Sequence, residues 1–171
     1  MKIELKKWNI EDSKSLVELC SSIDRRYLSN RIPSPYEESD ALSWISKVRQ
    51  IDGTEGVFRA ITADGKIVGS ISVECRPDIF NIDAEIGYMI LPEYCSKGIA
   101  TEAVAEICGT AFFELSIRRI SAMVLADNIA SAKVLYKNGF ELEGTMRRAA
   151  IKDNKIYDLL LFGRLLMPCP I

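Results

Sequence analysis

The chain has 171 residues, of which 48% are hydrophobic and 27% charged, and a formal net charge of −2. These values are typical of one globular domain, which we predict over residues 1–171. No apolar run approaches the roughly 18–20 residues of a membrane span, the N-terminus lacks the apolar segment of a signal peptide, and the charge does not indicate nucleic-acid binding. We therefore expect a cytoplasmic protein with no membrane and no nucleic-acid partner.

Hydrophobic periodicity predicts seven strands and four helices along the chain. Asp64-Gly65 lies between two apolar runs and predicts a β-hairpin, and Gly139 predicts the end of the last helix. In chain order the predicted elements are a strand at 2–8, helices at 9–23 and 41–51, strands at 56–62, 66–75 and 83–91, a helix at 98–115, a strand at 118–127, a helix at 128–138 and two strands within 140–166. This order predicts an α+β fold, with a mostly antiparallel sheet and helices on its faces.

The chain contains no histidine, and its five cysteines have no CxxC spacing. Zinc-site patterns are therefore absent from the sequence, and we expect no metal and reduced thiols at Cys20, Cys75, Cys95, Cys108 and Cys169. Ser-His-Asp and Cys-His machinery is excluded as well. Any acid–base chemistry must use carboxylates, hydroxyls, thiols, lysine or water.

The segment "PEYCSKGIATEAV", residues 92–104, connects a predicted strand to a predicted helix. The first N–H groups of a helix lack partners within the helix and, together with the helix dipole, favour an anion. Gly98 permits close approach to the backbone and Lys97 adds a positive charge, so this turn is suited to a pyrophosphate. The alternative is an ordinary loop-to-helix turn. The sequence has neither GxGxxG nor a Walker A motif, which argues against NAD or ATP.

The segment "DNIASAKVLYKNGF" follows the next predicted strand. Asn128, Ser131 and Leu135 are spaced i, i+3 and i+7, so they share one helical face. Asn128 and Ser131 could point toward a ligand at the preceding turn. Asn128 is also well suited to cap the helix, and this alternative stays open.

Together, "AEIGYMILPEYCSKGIATEAV" and "NIASAKVLYKNGFELEGTMRRA" resemble the motifs of the GNAT N-acetyltransferase superfamily, and of its RimJ/RimL-like branch of ribosomal-protein N-terminal acetyltransferases. The resemblance covers almost the whole chain. It implies a central sheet splayed between its fourth and fifth strands, with acetyl-CoA as co-substrate in the opening. The implied contacts are those of pantetheine with the backbone of Met89, Ile90 and Leu91, and those of the pyrophosphate with the amides of Lys97, Gly98, Ile99, Ala100 and Thr101.

Two residues depart from the family pattern. Cys95 stands where the loop usually has Gln or Arg, and Leu135 stands where many members have a tyrosine that acts as an acid. Tyr136 is one residue later, about 100° around the helix, so we expect it to point elsewhere. Cys95 has no histidine partner, which argues against a covalent acetyl-cysteine.

The resemblance also implies which residues carry the chemistry. In the RimJ/RimL-like branch a serine at the position of Ser131 is implicated as the partner of the leaving thiolate, and a glutamate at the position of Glu85 often acts as base through water. The alternatives are a serine satisfied by its own backbone and a surface carboxylate on a strand. Asp158 is a second candidate base.

The chemistry of amines favours one class of acetyl acceptor but does not identify the acceptor. An α-amine with a pKa of about 7.7–8.0 is roughly 10% neutral at pH 7, whereas a lysine side chain is below roughly 0.1%. A carboxylate base alone therefore favours a peptide or protein N-terminus, with polyamines and amino sugars as alternatives.

Two other functions stay open: a CoA-binding or partner-binding module without catalysis, and a nucleotide-binding enzyme using the same turn. The apolar tail "LLLFGRLLMPCPI" could pair with a second copy, and a homodimer is left open.

Overall fold

A computed structural model describes residues 1–166 of the chain. Residues 167–171, which carry Cys169 and the end of the apolar tail, lie outside the described residues. The described elements are β1 (Ile3–Lys7), α1 (Ser13–Ser22), α2 (Glu38–Ile51), β2 (Gly56–Ala63), β3 (Lys66–Cys75), β4 (Asp83–Ile90), α3 (Ile99–Glu114), β5 (Arg119–Leu125), α4 (Ile129–Lys137), β6 (Glu141–Lys152) and β7 (Lys155–Leu165). Their type and order are those predicted from the sequence.

One sheet joins the seven described strands in the order β1-β2-β3-β4-β5-β7-β6. Neighbouring strands are antiparallel except β4 and β5, which are parallel. The predicted hairpin joins β2 to β3, and both of its turn residues have positive φ, 49° at Asp64 and 82° at Gly65. Asp-Gly favours this type of turn because glycine adopts left-handed angles without a steric cost.

Helices cover both faces of the sheet, as predicted. Strand β2 shows this arrangement because its side chains alternate between two buried clusters. Val57 and Ile61 belong to the cluster that contains residues of α3 and α4, whereas Phe58 and Ala60 belong to the cluster with residues of α1 and α2. Every residue of β2 is buried. The sheet therefore lies between two hydrophobic layers.

The parallel pairing of β4 and β5 is short. It joins only Asp83, Ala84 and Glu85 to Arg119, Ile120 and Ser121. Beyond these three pairs β4 follows β3, whereas β5 follows β7. The sheet therefore opens between its fourth and fifth strands, which confirms the predicted splay. Within residues 1–166, no helix has the length and apolar character needed to span a membrane.

Candidate active site

A cavity of about 930 Å³ occupies the opening of the sheet. Strands β4 and β5 and helix α4 form its walls, and the segment between α1 and α2 and the β6–β7 hairpin contribute the far end. Glu85, Met89, Asn128, Ser131 and Leu135 are among the predicted residues that line it. The structure thus places both predicted catalytic residues, Glu85 and Ser131, in one cavity.

The backbone of β4 offers free hydrogen-bonding groups to this opening. The Leu91 N–H donates to the carbonyl oxygen of Val68 at 2.9 Å. In an antiparallel pair every second residue bonds the neighbouring strand, and the residues between them face the other way. Met89 therefore also bonds toward β3, whereas the N–H and C=O groups of Tyr88 and Ile90 face the opening. Of the three predicted backbone positions, only Ile90 presents its groups to a ligand there, and Tyr88 is a second such position that the sequence did not indicate.

The start of α3 has the conformation expected of an anion site. Gly98 caps the helix with φ of 82°, and Ser96 before it also has positive φ, 60°. The Glu102 N–H bonds the Gly98 carbonyl at 3.1 Å, so the N–H groups of the first helical turn precede the helical bonding pattern and stay free for a ligand. The Lys97 ammonium lies 5.3 Å from the centre of the Tyr94 ring, beside this turn.

The start of α4 holds Ser131 in place. The Asn128 side-chain oxygen accepts a hydrogen bond from the Ser131 N–H at 3.2 Å, so Asn128 is the helix cap. The Ser131 hydroxyl is 2.8 Å from the hydroxyl of Tyr88 on β4. It is thus bonded across the opening of the sheet, and the alternative of a serine satisfied by its own backbone is wrong. Burial raises the pKa of the Tyr88 phenol to about 12, although its hydrogen bond with Ser131 acts in the opposite direction.

Glu85 lies at the closed end of the opening, in the last parallel pair of β4 and β5. Its carboxylate is 3.1 Å from the Arg76 guanidinium, and its side chain is 37% exposed. The Arg76 charge is therefore adjacent to the ionised form of Glu85, which is the form that a general base requires.

Asp158, the other candidate base, lies elsewhere. It lines a separate surface pocket with Arg147 and Arg148 and is not among the residues that line the cavity of Glu85. Its carboxylate accepts a hydrogen bond from the Arg148 N–H at 2.8 Å, where the strand bulges and Arg148 has positive φ, 53°. This contact holds the bulge, so the structure does not bring Asp158 to the predicted site.

Residues 2–141 match the family described as acetyltransferase (GNAT) domain. The chain belongs to the GNAT acetyltransferase family. The match covers most of the chain and includes the first of the two segments that carried the resemblance and residues 128–141 of the second. A GNAT sheet opens where this one does, so the sequence family and the observed topology agree.

Two individual GNAT relatives match shorter parts of the chain. The chain is 40% identical over 80 residues to the uncharacterized N-acetyltransferase YoaA of Bacillus subtilis (strain 168), a match that spans 47% of the chain and 45% of YoaA. It is 31% identical over 130 residues to the putative ribosomal N-acetyltransferase YdaF of the same strain, spanning 76% of the chain and 69% of YdaF. The chain therefore matches about half the length of YoaA and about two thirds of YdaF.

Among solved structures, RimL, a ribosomal L7/L12 α-N-protein acetyltransferase in complex with coenzyme A, superposes with a TM-score of 0.86. The alignment covers 97% of this chain and 95% of RimL at 19% identity, which shows a shared fold. Together with YdaF, it confirms the predicted RimJ/RimL-like resemblance.

The two departures from the GNAT pattern have clear structural positions. Leu135 is fully buried, and Tyr136 packs edge-on against Phe162 with ring centroids 5.2 Å apart, which places it away from the cavity as predicted. Cys95 is exposed, and its sulfur lies 3.6 Å from the Leu91 carbonyl oxygen. Among the residues described, no group of three metal-ligating side chains is close enough to hold a metal ion.

The sequence missed two residues of this site, Tyr88 and Arg76. Alternation along β4 places Tyr88 on the strand face opposite Glu85, but it does not show which helix side chain Tyr88 meets. Arg76 precedes β4 by a loop, and only the β3–β4 pairing brings it beside Glu85.

Contacts between distant segments border the far end of the cavity. The Lys152 ammonium donates to the Asn30 side-chain oxygen at 2.8 Å, and the Tyr27 hydroxyl donates to the Asp127 carbonyl at 3.3 Å. These bonds connect the segment between α1 and α2 to the β6–β7 hairpin and to the start of α4. Residues 27–33 and Tyr36, in the segment between α1 and α2, line this part of the cavity.

Proposed function

We propose that this protein transfers the acetyl group of acetyl-CoA to a primary amine, with the α-amine of a peptide or protein N-terminus as the favoured acceptor, and that it does so as one domain over residues 1–171. The observation that carries the proposal is a single opening in the sheet. Tyr88 of β4, Glu85 and Ser131 line the cavity in this opening, and the helix start with free N–H groups follows β4 after the turn at residues 91–98.

The start of α3 would hold the pyrophosphate of acetyl-CoA. Lys97, Gly98, Ile99, Ala100 and Thr101 supply backbone N–H groups, and the helix dipole favours the negative charge. These donors do not depend on the side chain at position 95, so the change to Cys95 leaves them in place. The family relative RimL was solved with coenzyme A, which supports this choice of ligand.

The pantetheine arm would then follow β4 into the opening. Tyr88 and Ile90 offer N–H and C=O groups that no neighbouring strand uses, and a ligand amide can pair with them as a strand does. This path leads from α3 toward the closed end, where Glu85 and Ser131 lie on opposite walls of the opening.

Glu85 and Ser131 would serve the two proton-sensitive sites of the reaction. The amine nitrogen attacks the thioester carbon, and the C–N bond forms as the C–S bond breaks, its electron pair moving to sulfur. Glu85 takes the proton that the amine loses, through a water molecule. Ser131 donates a hydrogen bond to the leaving sulfur, which gains its proton from solvent, so the products are an amide and a thiol.

The acceptor would enter from the end bounded by the segment between α1 and α2 and by the β6–β7 hairpin. The α-amine is favoured because a larger fraction is neutral at pH 7 than for a lysine side chain. YdaF and RimL, whose names describe ribosomal acetyltransferases, are consistent with a peptide N-terminus. Small amines such as polyamines or amino sugars remain the second class of acceptor.

Two measurements test the proposal. Thermal unfolding with acetyl-CoA, CoA, ATP and NAD should show stabilisation by the first two only. Acetyl transfer, followed by thiol release, should then be faster for a peptide with a free α-amine than for the same peptide blocked at its N-terminus with a free lysine. A polyamine and an amino sugar complete the panel.

Substitutions test whether Glu85 and Ser131 take part in the acetyl transfer. Glu85→Gln and Ser131→Ala should each lower kcat by about 100-fold or more, the lower range for acid–base groups. Ser131→Ala keeps the N–H that Asn128 caps. The matched controls are Glu4→Gln, an ion-paired glutamate on the edge strand β1, and Ser21→Ala, an exposed serine of α1. Ligand binding without transfer to any amine would favour the non-catalytic module, and equal activity of all four variants would refute the assigned roles.

A further inference from the structure

A hydrogen bond connects the two walls of the opening beside the proposed reaction centre. The Tyr88 hydroxyl, on β4, is 2.8 Å from the Ser131 hydroxyl and 3.2 Å from the Ser131 carbonyl oxygen, on α4. The two residues are 43 positions apart in the sequence. Tyr88 lies three residues beyond Glu85, the last residue of β4 that pairs with β5, so the bond is formed just where the strands separate.

The direction of this bond decides what Ser131 can do. A serine hydroxyl has one hydrogen and can accept two hydrogen bonds. The Tyr88 hydroxyl has one hydrogen and two acceptors on Ser131, the hydroxyl oxygen at 2.8 Å and the carbonyl oxygen at 3.2 Å. When it donates to the hydroxyl oxygen, the nearer of the two, the serine keeps its own hydrogen for a third group. Tyr88 is protonated at neutral pH, as an ordinary tyrosine is, and burial raises its pKa further, to about 12. Asn128 holds the Ser131 backbone at the same time, so both the backbone and the hydroxyl of Ser131 are fixed.

We propose that Tyr88 is a positioning residue that directs the Ser131 hydroxyl hydrogen toward the thioester sulfur. The inference rests on the acetyl transfer proposed above. Tyr88 itself neither loses a proton nor contacts the acceptor. It donates to Ser131 while the electron pair of the C–S bond moves to sulfur, and Ser131 donates its hydrogen bond to that sulfur. A fixed donor is worth more than a rotating one because it does not reorganise during the reaction.

The test is the Tyr88→Phe variant, which removes the hydroxyl and keeps the ring. We expect kcat to fall about tenfold, equivalent to ~1.4 kcal/mol, with the KM for acetyl-CoA unchanged within about twofold, because the β4 backbone groups remain. Tyr136→Phe is the matched control, since Tyr136 lies on α4 but outside the cavity. Thermal unfolding of each variant checks that the fold is kept.

The double variant separates positioning from simple packing. If Tyr88 acts through Ser131, then Tyr88→Phe should have no further effect on kcat in a Ser131→Ala background. A further tenfold loss there would show an independent role and overturn the inference. So would unchanged kcat in the single variant when the wild-type protein is active. A wild-type protein without transfer to any amine of the panel would instead refute the proposed function, and the inference with it.

Discussion

Replacing Gly98 by alanine tests whether the start of α3 binds coenzyme A. Gly98 has φ of +82°, and no atom lies within 4 Å of the place that a Cβ would occupy. An alanine must adopt the left-handed conformation, which costs about 1 kcal/mol, but it meets no protein atom. For a domain of this size that loss lowers Tm by roughly 2–4 °C. A ligand that approaches the backbone closely would, by contrast, meet the added methyl group.

Gly65 provides the matched control. It also has φ of +82° and nothing within 4 Å of a Cβ, but it lies in the β2–β3 turn and not at the start of a helix. Gly65→Ala and Gly98→Ala should therefore lose about the same stability, about 1 kcal/mol each. Any difference between the two in ligand binding then reports contact with the ligand and not backbone strain.

The assay is coenzyme A binding by titration calorimetry, with thermal unfolding alongside it. At 100 times its Kd the ligand adds about 2.7 kcal/mol of stability to the wild-type protein and to Gly65→Ala. We expect Gly98→Ala to bind about tenfold more weakly, so the same ligand concentration adds only about 1.4 kcal/mol. Equal Kd values for the two variants would refute the reasoning that places the pyrophosphate at Gly98.

Two further predictions concern charged groups. Lys97→Gln should weaken coenzyme A binding about threefold at low salt and less at high salt, because the exposed ammonium acts through a screened charge, whereas Lys14→Gln on α1 should leave titration results unchanged. Burial would raise the pKa of Asp52, but hydrogen bonds, chiefly from Arg59 at 2.6 Å, outweigh it and hold that pKa below its usual value. The stabilisation from Asp52 is therefore complete above about pH 4 and is lost as pH falls through the lowered pKa. In urea unfolding, the stability difference between wild type and Asp52→Asn should be smaller at pH 3 than at pH 7. A difference that stays constant with pH would contradict this assignment.

The secondary structure was predictable because local signals determine it. Alternating and helical periodicities run through whole elements, and Asp64-Gly65 and Gly139 mark turns by conformations that glycine adopts without strain, with φ of 82° at Gly65 and 74° at Gly139. The same holds for Asn128, whose capping role depends on a residue three positions away. The splay of the sheet came from the family resemblance, and the structure confirms it.

The contacts within the site were less predictable because they depend on register between distant segments. Which β4 groups face the opening follows from the pairing of Leu91 with Val68, 23 positions earlier in the chain. A shift of one residue would exchange Tyr88 and Ile90 for Met89 and Leu91. The meeting of Tyr88 with Ser131 depends in addition on how α4 packs on the sheet. No local pattern contains that information.

The carboxylate of Asp83 is the centre of a group of charged side chains at the closed end of the opening, where β4 and β5 still pair. Asp83 lies between two guanidinium groups, 3.2 Å from Arg76 and 3.3 Å from Arg119, and it accepts a hydrogen bond from Ser121 at 3.1 Å. Only 15% of the Asp83 side chain is exposed, so these interactions are weakly screened. The contacts with Arg119 and Ser121 join β4 to β5 where the two strands pair, and the contact with Arg76 joins β4 to the end of β3. Arg76 also pairs with Glu85, at the point where the pairing ends. Arg76 therefore contacts both Asp83 and the proposed base, Glu85, at the closed end of the opening.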